Sequence, residues 1–235
     1  MNDTALDNPL CVALDSPDYS VVERLAFATE PHVGMFKVGL MAFAANGPGI
    51  VRNLVRMRPV FLDLKLHDIP IQVEGAVRAA AALGTSYVTV HAAGGPEMIT
   101  AAVAGAAGNA TVLAVTVLTS LDDHVLDMTG IPDSTTSQVL RLAELALKAG
   151  VSGLVCSPLE VSALRDRLGS SDDGGPTLVV AGIRPAGSDS GDQRRTMTPQ
   201  QAVEAGADVI VVGRPITAAP DPAAAARSIH AEVTR

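Results

Sequence analysis

Two lysines and two aspartates stand where charged side chains are costly. In Phe61-Leu62-Asp63-Leu64-Lys65-Leu66-His67-Asp68-Ile69-Pro70, three leucines alternate with Phe61, Asp63 and Lys65. A strand turns successive side chains to opposite faces, so the leucines share one face and the two charges share the other. Lys37 sits opposite Phe36 and Val38 in a second apolar run, and Asp15 closes a third, opposite Leu10, Val12 and Leu14. The chain has fourteen arginines and only three lysines, Lys37, Lys65 and Lys148. Lysine offers a compact ammonium that can give up a proton, which arginine cannot. Lys148 precedes Gly150 at a helix end, an ordinary place for a cation. Asp15, Lys37, Asp63 and Lys65 can satisfy one another as an alternating ring of opposite charges. Such a set suits electrostatic stabilisation and proton transfer. A purely structural ion-pair network is the alternative.

Strand-like runs at 9–15, 35–39, 59–66, 87–93, 111–118, 153–158, 177–183 and 209–216 must position these residues. Helical segments follow at about 18–30, 40–57, 70–83, 95–107, 137–149, 158–168, 198–205 and 221–233. Pro70 fits the first turn of its helix, and Gly84, Gly150 and Gly206 stand at helix ends. Eight β-α units in 235 residues predict an α/β fold, a (β/α)8 TIM barrel, with residues 1–235 forming a single domain. An open doubly wound sheet is the runner-up, but no Gly-x-Gly-x-x-Gly follows a strand. Residues 1–8, 169–176 and 185–196 read as loops. In a barrel, chemistry gathers at the C-terminal ends of the strands. Asp15, Lys37, Asp63 and Lys65 all fall there.

The later strands carry different groups. Strand 8 runs into Gly213-Arg214-Pro215-Ile216, and the loops after strands 7 and 8 of such barrels often hold a phosphate. Gly213 admits close backbone approach and Arg214 can bind in bidentate fashion; a solvated Gly-Arg turn is the plain alternative. Strand 7 ends Gly182-Ile183-Arg184-Pro185. The polar segment 186–195 after it has the composition of a lid, or of an ordinary loop. Thr119 and Ser120 follow strand 5 with hydroxyls able to bond a ligand. Strand 4 carries His91 before Ala92-Ala93-Gly94-Gly95, and a lone histidine beside such charges reads more readily as a hydrogen-bonded core residue than as a base.

Composition excludes several classes. The net charge of −8, 3% aromatics and no basic run argue against a polynucleotide partner. Ala101 to Leu118 is broken by Gly105 and Gly108-Asn109, so no membrane span is expected. Cys11 and Cys156 lie in apolar runs and read as buried thiols of a reducing compartment, with a disulfide or metal pair as the lesser alternative. With no signal peptide at Met1 to Asn8, a cytoplasmic location is expected. No His-x-x-x-His, Cys/His cluster or Gly-x-Ser-x-Gly appears.

Asp63-Leu64-Lys65-Leu66-His67-Asp68-Ile69-Pro70 resembles the signature of the short bacterial orotidine 5′-phosphate decarboxylases. The resemblance runs nearly end to end, through Val12-Ala13-Leu14-Asp15, Phe36-Lys37-Val38-Gly39, Val90-His91-Ala92, Val117-Leu118-Thr119-Ser120, Gly182-Ile183-Arg184-Pro185, Asp192-Gln193 and Gly213-Arg214-Pro215-Ile216. It implies cofactor-free decarboxylation of orotidine 5′-phosphate to UMP in pyrimidine biosynthesis, by a homodimer with shared active sites. Lys65 would stabilise and protonate the C6 carbanion, with Asp63 beside the substrate carboxylate. Asp15 would hold a ribose hydroxyl, and Lys37 would contact the ribose and join the charge network. Asp68 and Ile69 would reach into the partner's site. Thr119 and Ser120 would contact the pyrimidine. Gln193, Gly213 and Arg214 would bind the phosphate, with Arg184 nearby and no metal required. The family commonly has Asn-Thr after Asp-Ile-Pro, the Thr serving the partner's site. This chain has Ile71-Gln72, and Gln72 can still donate and accept.

Overall fold

The computed structural model describes residues 8–186 and 196–234. Eight parallel strands close on themselves in chain order: β1 (Leu10–Ala13), β2 (Met35–Gly39), β3 (Val60–Leu66), β4 (Tyr87–His91), β5 (Thr111–Val115), β6 (Gly153–Cys156), β7 (Thr177–Ala181) and β8 (Val209–Val212). β8 pairs back onto β1, with Leu10 beside Ile210 and Val12 beside Val212. The fold is a (β/α)8 barrel, and the open sheet is excluded because neither edge is left unpaired.

The strand sequences are apolar on both faces, as a parallel sheet covered by helices requires. Leu10, Val12, Phe36, Val38, Leu62 and Val88 face outward into the layer shared with the helices. Cys11, Met35, Phe61, Tyr87, Leu113 and Val179 face inward and fill the barrel axis. Phe61 and Tyr87 meet edge to face there, at 6.1 Å between ring centroids. Cys11 and Cys156 are both buried, and neither is in a disulfide.

The helices are α1 (Tyr19–Thr29), α2 (Leu40–Asn46), α3 (Pro48–Leu54), α4 (Pro70–Ala81), α5 (Gly95–Ala106), α6 (Asp123–Met128), α7 (Thr135–Lys148), α8 (Val161–Leu168), α9 (Pro199–Glu204), α10 (Arg214–Thr217) and α11 (Pro222–Val233). Their starts follow local chemistry. Asp18 accepts from the Ser20 amide, Ser134 from Ser137, and Thr198 forms a capping box with Gln201. The Ser20 hydroxyl and amide hold the Asp18 carboxyl below its ordinary range. Gly84, Gly150 and Gly206 all take positive φ at helix ends.

Several expected boundaries shift. The helix expected at 40–57 is two helices, because Gly47 takes a φ of 64° and Pro48 starts the next one. α6 lies between the fifth strand and the helix expected at 137–149, in a stretch for which no element was expected. β2 and β3 end where expected, at Gly39 and Leu66, but the other six strands stop short of their expected C-terminal ends, so Asp15 lies beyond β1, and 214–217 is a helical turn rather than strand.

α4 and α5 pack at close range. A Cβ on Gly105 would stand 2.4 Å from the Glu74 carbonyl oxygen, a backbone atom that cannot swing aside. Gly105→Ala is expected to lower unfolding stability by about 1–3 kcal/mol through overpacking. Urea unfolding measures this, and a variant within error of the parent would contradict the close packing.

Candidate active site

β1, β2 and β3 deliver their charged residues to the C-terminal mouth of the barrel as a line. The Lys37 ammonium lies 2.9 Å from Asp15 Oδ2 and 3.5 Å from Asp63 Oδ2. The Lys65 ammonium lies 2.7 Å from each oxygen of Asp63. The four residues foreseen from sequence thus meet, but as Asp15–Lys37–Asp63–Lys65 rather than as a closed ring. The two central members, Lys37 and Asp63, are buried, while Lys65 and Asp15 at the ends are partly open.

Gly39 makes this approach possible. Its amide donates to Asp15 Oδ1 at 3.1 Å. A Cβ there would stand 2.2 Å from the same oxygen and 2.9 Å from the Lys37 nitrogen. The requirement is one of space, since the Gly39 φ of −87° is open to any residue.

Simple alternation along β3 fails at its end. Leu62 pairs with Val88 of β4 and Leu66 with Val90, so three residues of β3 stand opposite Thr89 alone. Within this bulge Lys65 takes a left-handed φ of 52°. For a residue with a Cβ this conformation costs about 1–2 kcal/mol, so the surroundings must hold it. The Lys65 amide donates to Thr89 Oγ1 at 2.9 Å, and the Thr89 hydroxyl donates to Asp63 Oδ1 at 3.0 Å. Sequence reasoning passed over Thr89 because a threonine in a strand carries no chemical signature of its own.

The electrostatics follow from burial and pairing. For Lys37, burial works against the ammonium, but the Asp63 and Asp15 carboxylates outweigh it and raise its pKa. For Asp63, burial works against the carboxylate, but Lys37 and Lys65 outweigh it and lower its pKa. Burial pushes the Cys11 thiol up, leaving it protonated. Burial, then His67, then Lys65 lower the His91 pKa. His91 is no lone histidine: its ring lies 5.6 Å from that of His67.

A cavity of about 470 Å³ opens over the line. Asp15, Lys37, Asp63 and Lys65 form one side, and Val115, Val117, Leu118 and Thr119 form an apolar wall at the end of β5. Gly182, Arg184, Gly213 and Arg214 border it from β7 and β8. Of the other residues singled out from sequence, Ser120 is exposed and does not line this cavity. Asp68, Ile69 and Gln72 are exposed at the start of α4, outside the cavity of their own chain. Gln193 and most of the 186–195 segment lie outside the described residues. Among the described residues no group of three or more His, Cys, Asp and Glu could hold a metal ion. Also among them, no helix is long and apolar enough to cross a membrane.

Fold and site together define a (β/α)8 barrel with a paired-charge cavity at its C-terminal mouth. Residues 8–229 match the model of the orotidine 5′-phosphate decarboxylase / HUMPS family. A relative from Anaeromyxobacter dehalogenans, named orotidine 5′-phosphate decarboxylase, is 59% identical over 223 residues, covering 94% of this chain and 96% of its own. One of the same name from Thermobifida fusca is 48% identical over 97% of this chain and 96% of its own. The crystal structure of orotidine 5′-phosphate decarboxylase from Lactobacillus acidophilus superposes with a TM-score of 0.84 at 37% identity, covering 97% of this chain and 100% of that one. The chain belongs to the orotidine 5′-phosphate decarboxylase / HUMPS family.

The paired charges make stability depend on pH at both ends. The lowered Asp63 pKa contributes stability that is present above the ordinary carboxylate range and lost as pH falls through the folded-state value. The raised Lys37 pKa contributes stability that is present below its ordinary value of 10.5 and lost as pH rises through the folded-state value. Lys37→Met, which leaves Asp15 and Asp63 short of a cation, is expected to cost about 3–5 kcal/mol at neutral pH. It should also remove the Lys37 share of the alkaline loss. Urea unfolding from pH 3 to 11 reads both; an unchanged variant would contradict the burial of a paired charge.

Proposed function

We propose that this chain converts orotidine 5′-phosphate to UMP and CO2, as a cofactor-free carboxy-lyase of pyrimidine biosynthesis formed by residues 1–235 as one domain. Family membership supports the reaction. The observation that carries the mechanism is the Lys65 ammonium held 2.7 Å from Asp63 at the cavity wall.

The reaction breaks the bond between C6 and the carboxylate, and the electron pair stays on C6. The ring offers no sink for it, so the carbanion is localised. A fixed ammonium at that carbon stabilises the developing charge without reorganising in the transition state. Lys65 supplies it, passes one proton to C6 as general acid, and regains a proton from solvent afterwards. Asp63 stands beside the departing carboxylate and fixes Lys65. Lys37 holds Asp63 from the other side and, with Asp15, meets the ribose hydroxyls. Thr119, at the cavity wall, contacts the pyrimidine; Ser120, expected beside it, is exposed outside the cavity and is left out of this role. Arg184, Gln193, Gly213 and Arg214 take the phosphate, whose binding energy, far from the reacting bond, organises the site.

Asp68 and Ile69, with Gln72 beside them, complete the site of a second copy. Their exposure on this chain supports that assignment. So do the exposed apolar residues Leu40, Met41, Ile69 and Ile71, which follow neighbouring strands and form an apolar margin suited to a homodimer. Two buried cysteines outside any disulfide fit a reducing compartment such as the cytoplasm.

A related sugar-phosphate decarboxylase or aldolase acting through Mg²⁺ and an enediolate is the competing reading. The donor set weighs against it, since each cavity carboxylate of the line already faces an ammonium. The test follows orotidine 5′-phosphate by absorbance with and without EDTA. Turnover unchanged by EDTA is expected; no turnover, or turnover abolished by chelation, would overturn the proposal. Lys65→Ala should lose nearly all kcat while UMP still binds, and a near-normal kcat would refute its role as acid. Lys65→Ala and Asp68→Ala homodimers should both be inactive. After verified subunit exchange, a mixture should regain activity through heterodimers with one intact site; no recovery would refute the shared site.

A further inference from the structure

The bulge in β3 gives a buried residue of β4 control over the proposed proton donor. We infer that Thr89 is a positioning residue for the reaction, setting the Asp63–Lys65 pair through a single hydroxyl. This rests on the assignment of Lys65 as the acid.

Three observations converge on Thr89. It is fully buried and stands alone opposite Asp63, Leu64 and Lys65. Its hydroxyl oxygen accepts the Lys65 amide at 2.9 Å, a group that the bulge removes from the regular ladder. Its hydroxyl hydrogen goes to Asp63 Oδ1 at 3.0 Å. A hydroxyl is one of the few side-chain groups that can accept and donate at once. Here the two functions act on the two members of one pair. The accepted bond secures the left-handed backbone of Lys65, from which its side chain returns to Asp63. The donated bond fixes the carboxylate that receives both lysines.

The geometry also separates this role from general packing. Valine has nearly the shape of threonine but neither donates nor accepts. Thr89→Val keeps the volume, leaves the Lys65 amide unsatisfied and frees Asp63 to rotate. The phosphate-facing and apolar parts of the cavity lie on β5, β7 and β8 and remain as they are. The loss therefore falls on the chemical step rather than on binding.

The experiment compares wild type with Thr89→Val, Thr89→Ser and Thr89→Ala, using orotidine 5′-phosphate as substrate and UMP as binding probe. Thr89→Val is expected to lower kcat by about 100-fold, the scale of a misplacement of roughly 1 Å at a reacting group. KM and the UMP Kd should move less than about threefold, because the binding contacts are untouched. Thr89→Ser keeps the hydroxyl and should keep kcat within about threefold of wild type by the same reasoning. In a Lys65→Ala background, Thr89→Val should lower the residual rate little further, since residues acting as a unit are non-additive. Should Thr89→Val not fold, the contrast of Thr89→Ser with Thr89→Ala carries the same test. Wild-type kcat in folded Thr89→Val or Thr89→Ala, a loss confined to KM, or an equal loss in Thr89→Ser would overturn the inference. A wild-type chain inactive on orotidine 5′-phosphate would instead overturn the function on which it rests.

Discussion

Lys37, buried between two carboxylates, is the interaction on which the mouth of this barrel depends. An unpaired ammonium in that position would cost several times what a surface ion pair returns. Asp15 and Asp63 reverse the balance, and in turn Lys37 makes it possible for Asp63 to remain ionised while buried. The second ammonium then follows: Asp63, held from one side by Lys37, holds Lys65 from the other. Each member of the line is conditional on its neighbours, so the order of charges is a constraint on three strands at once.

The backbone is bent to meet this constraint. β3 leaves regular alternation after Asp63, and Lys65 accepts a conformation that residues with a Cβ avoid. Gly39 gives up a side chain so that Asp15 and Lys37 can close over it. These departures lie at the strand ends that form the cavity, while the inward-facing layer of Cys11, Met35, Phe61 and Tyr87 below them is fully packed and regular. The rigid lower layer fixes where strands end, and the irregular upper layer fixes where charges sit.

Much of this was legible from residue types. Alternating apolar runs separated by helical segments predicted eight strands, because parallel strands buried on both faces must be apolar throughout. The scarcity of lysine singled out Lys37 and Lys65, and the need to pair buried charges joined them to Asp15 and Asp63. What could not be read was the register. A two-residue period placed Lys65 as an ordinary strand residue, and only the pairing of Leu62 and Leu66 with β4 reveals the bulge. Thr89 and the contact of His67, just past β3, with His91 were hidden too, since both depend on which residues of β3 and β4 and their ends stand side by side. Asp68, Ile69 and Gln72 are a different case: their proposed role belongs to a second copy, and nothing within one chain requires it.

The proposed chemistry requires that the Lys65 ammonium reach the reacting carbon and exchange a proton with it. Incubating UMP in D2O with the enzyme tests this without the decarboxylation step, because the same carbanion forms when the C6 proton is removed. Proton NMR of UMP should show the C6 hydrogen replaced by deuterium in the presence of wild type, and retained in the presence of Lys65→Ala under identical conditions. Equal exchange by Lys65→Ala, or none by a wild-type enzyme that turns orotidine 5′-phosphate over, would contradict the claim.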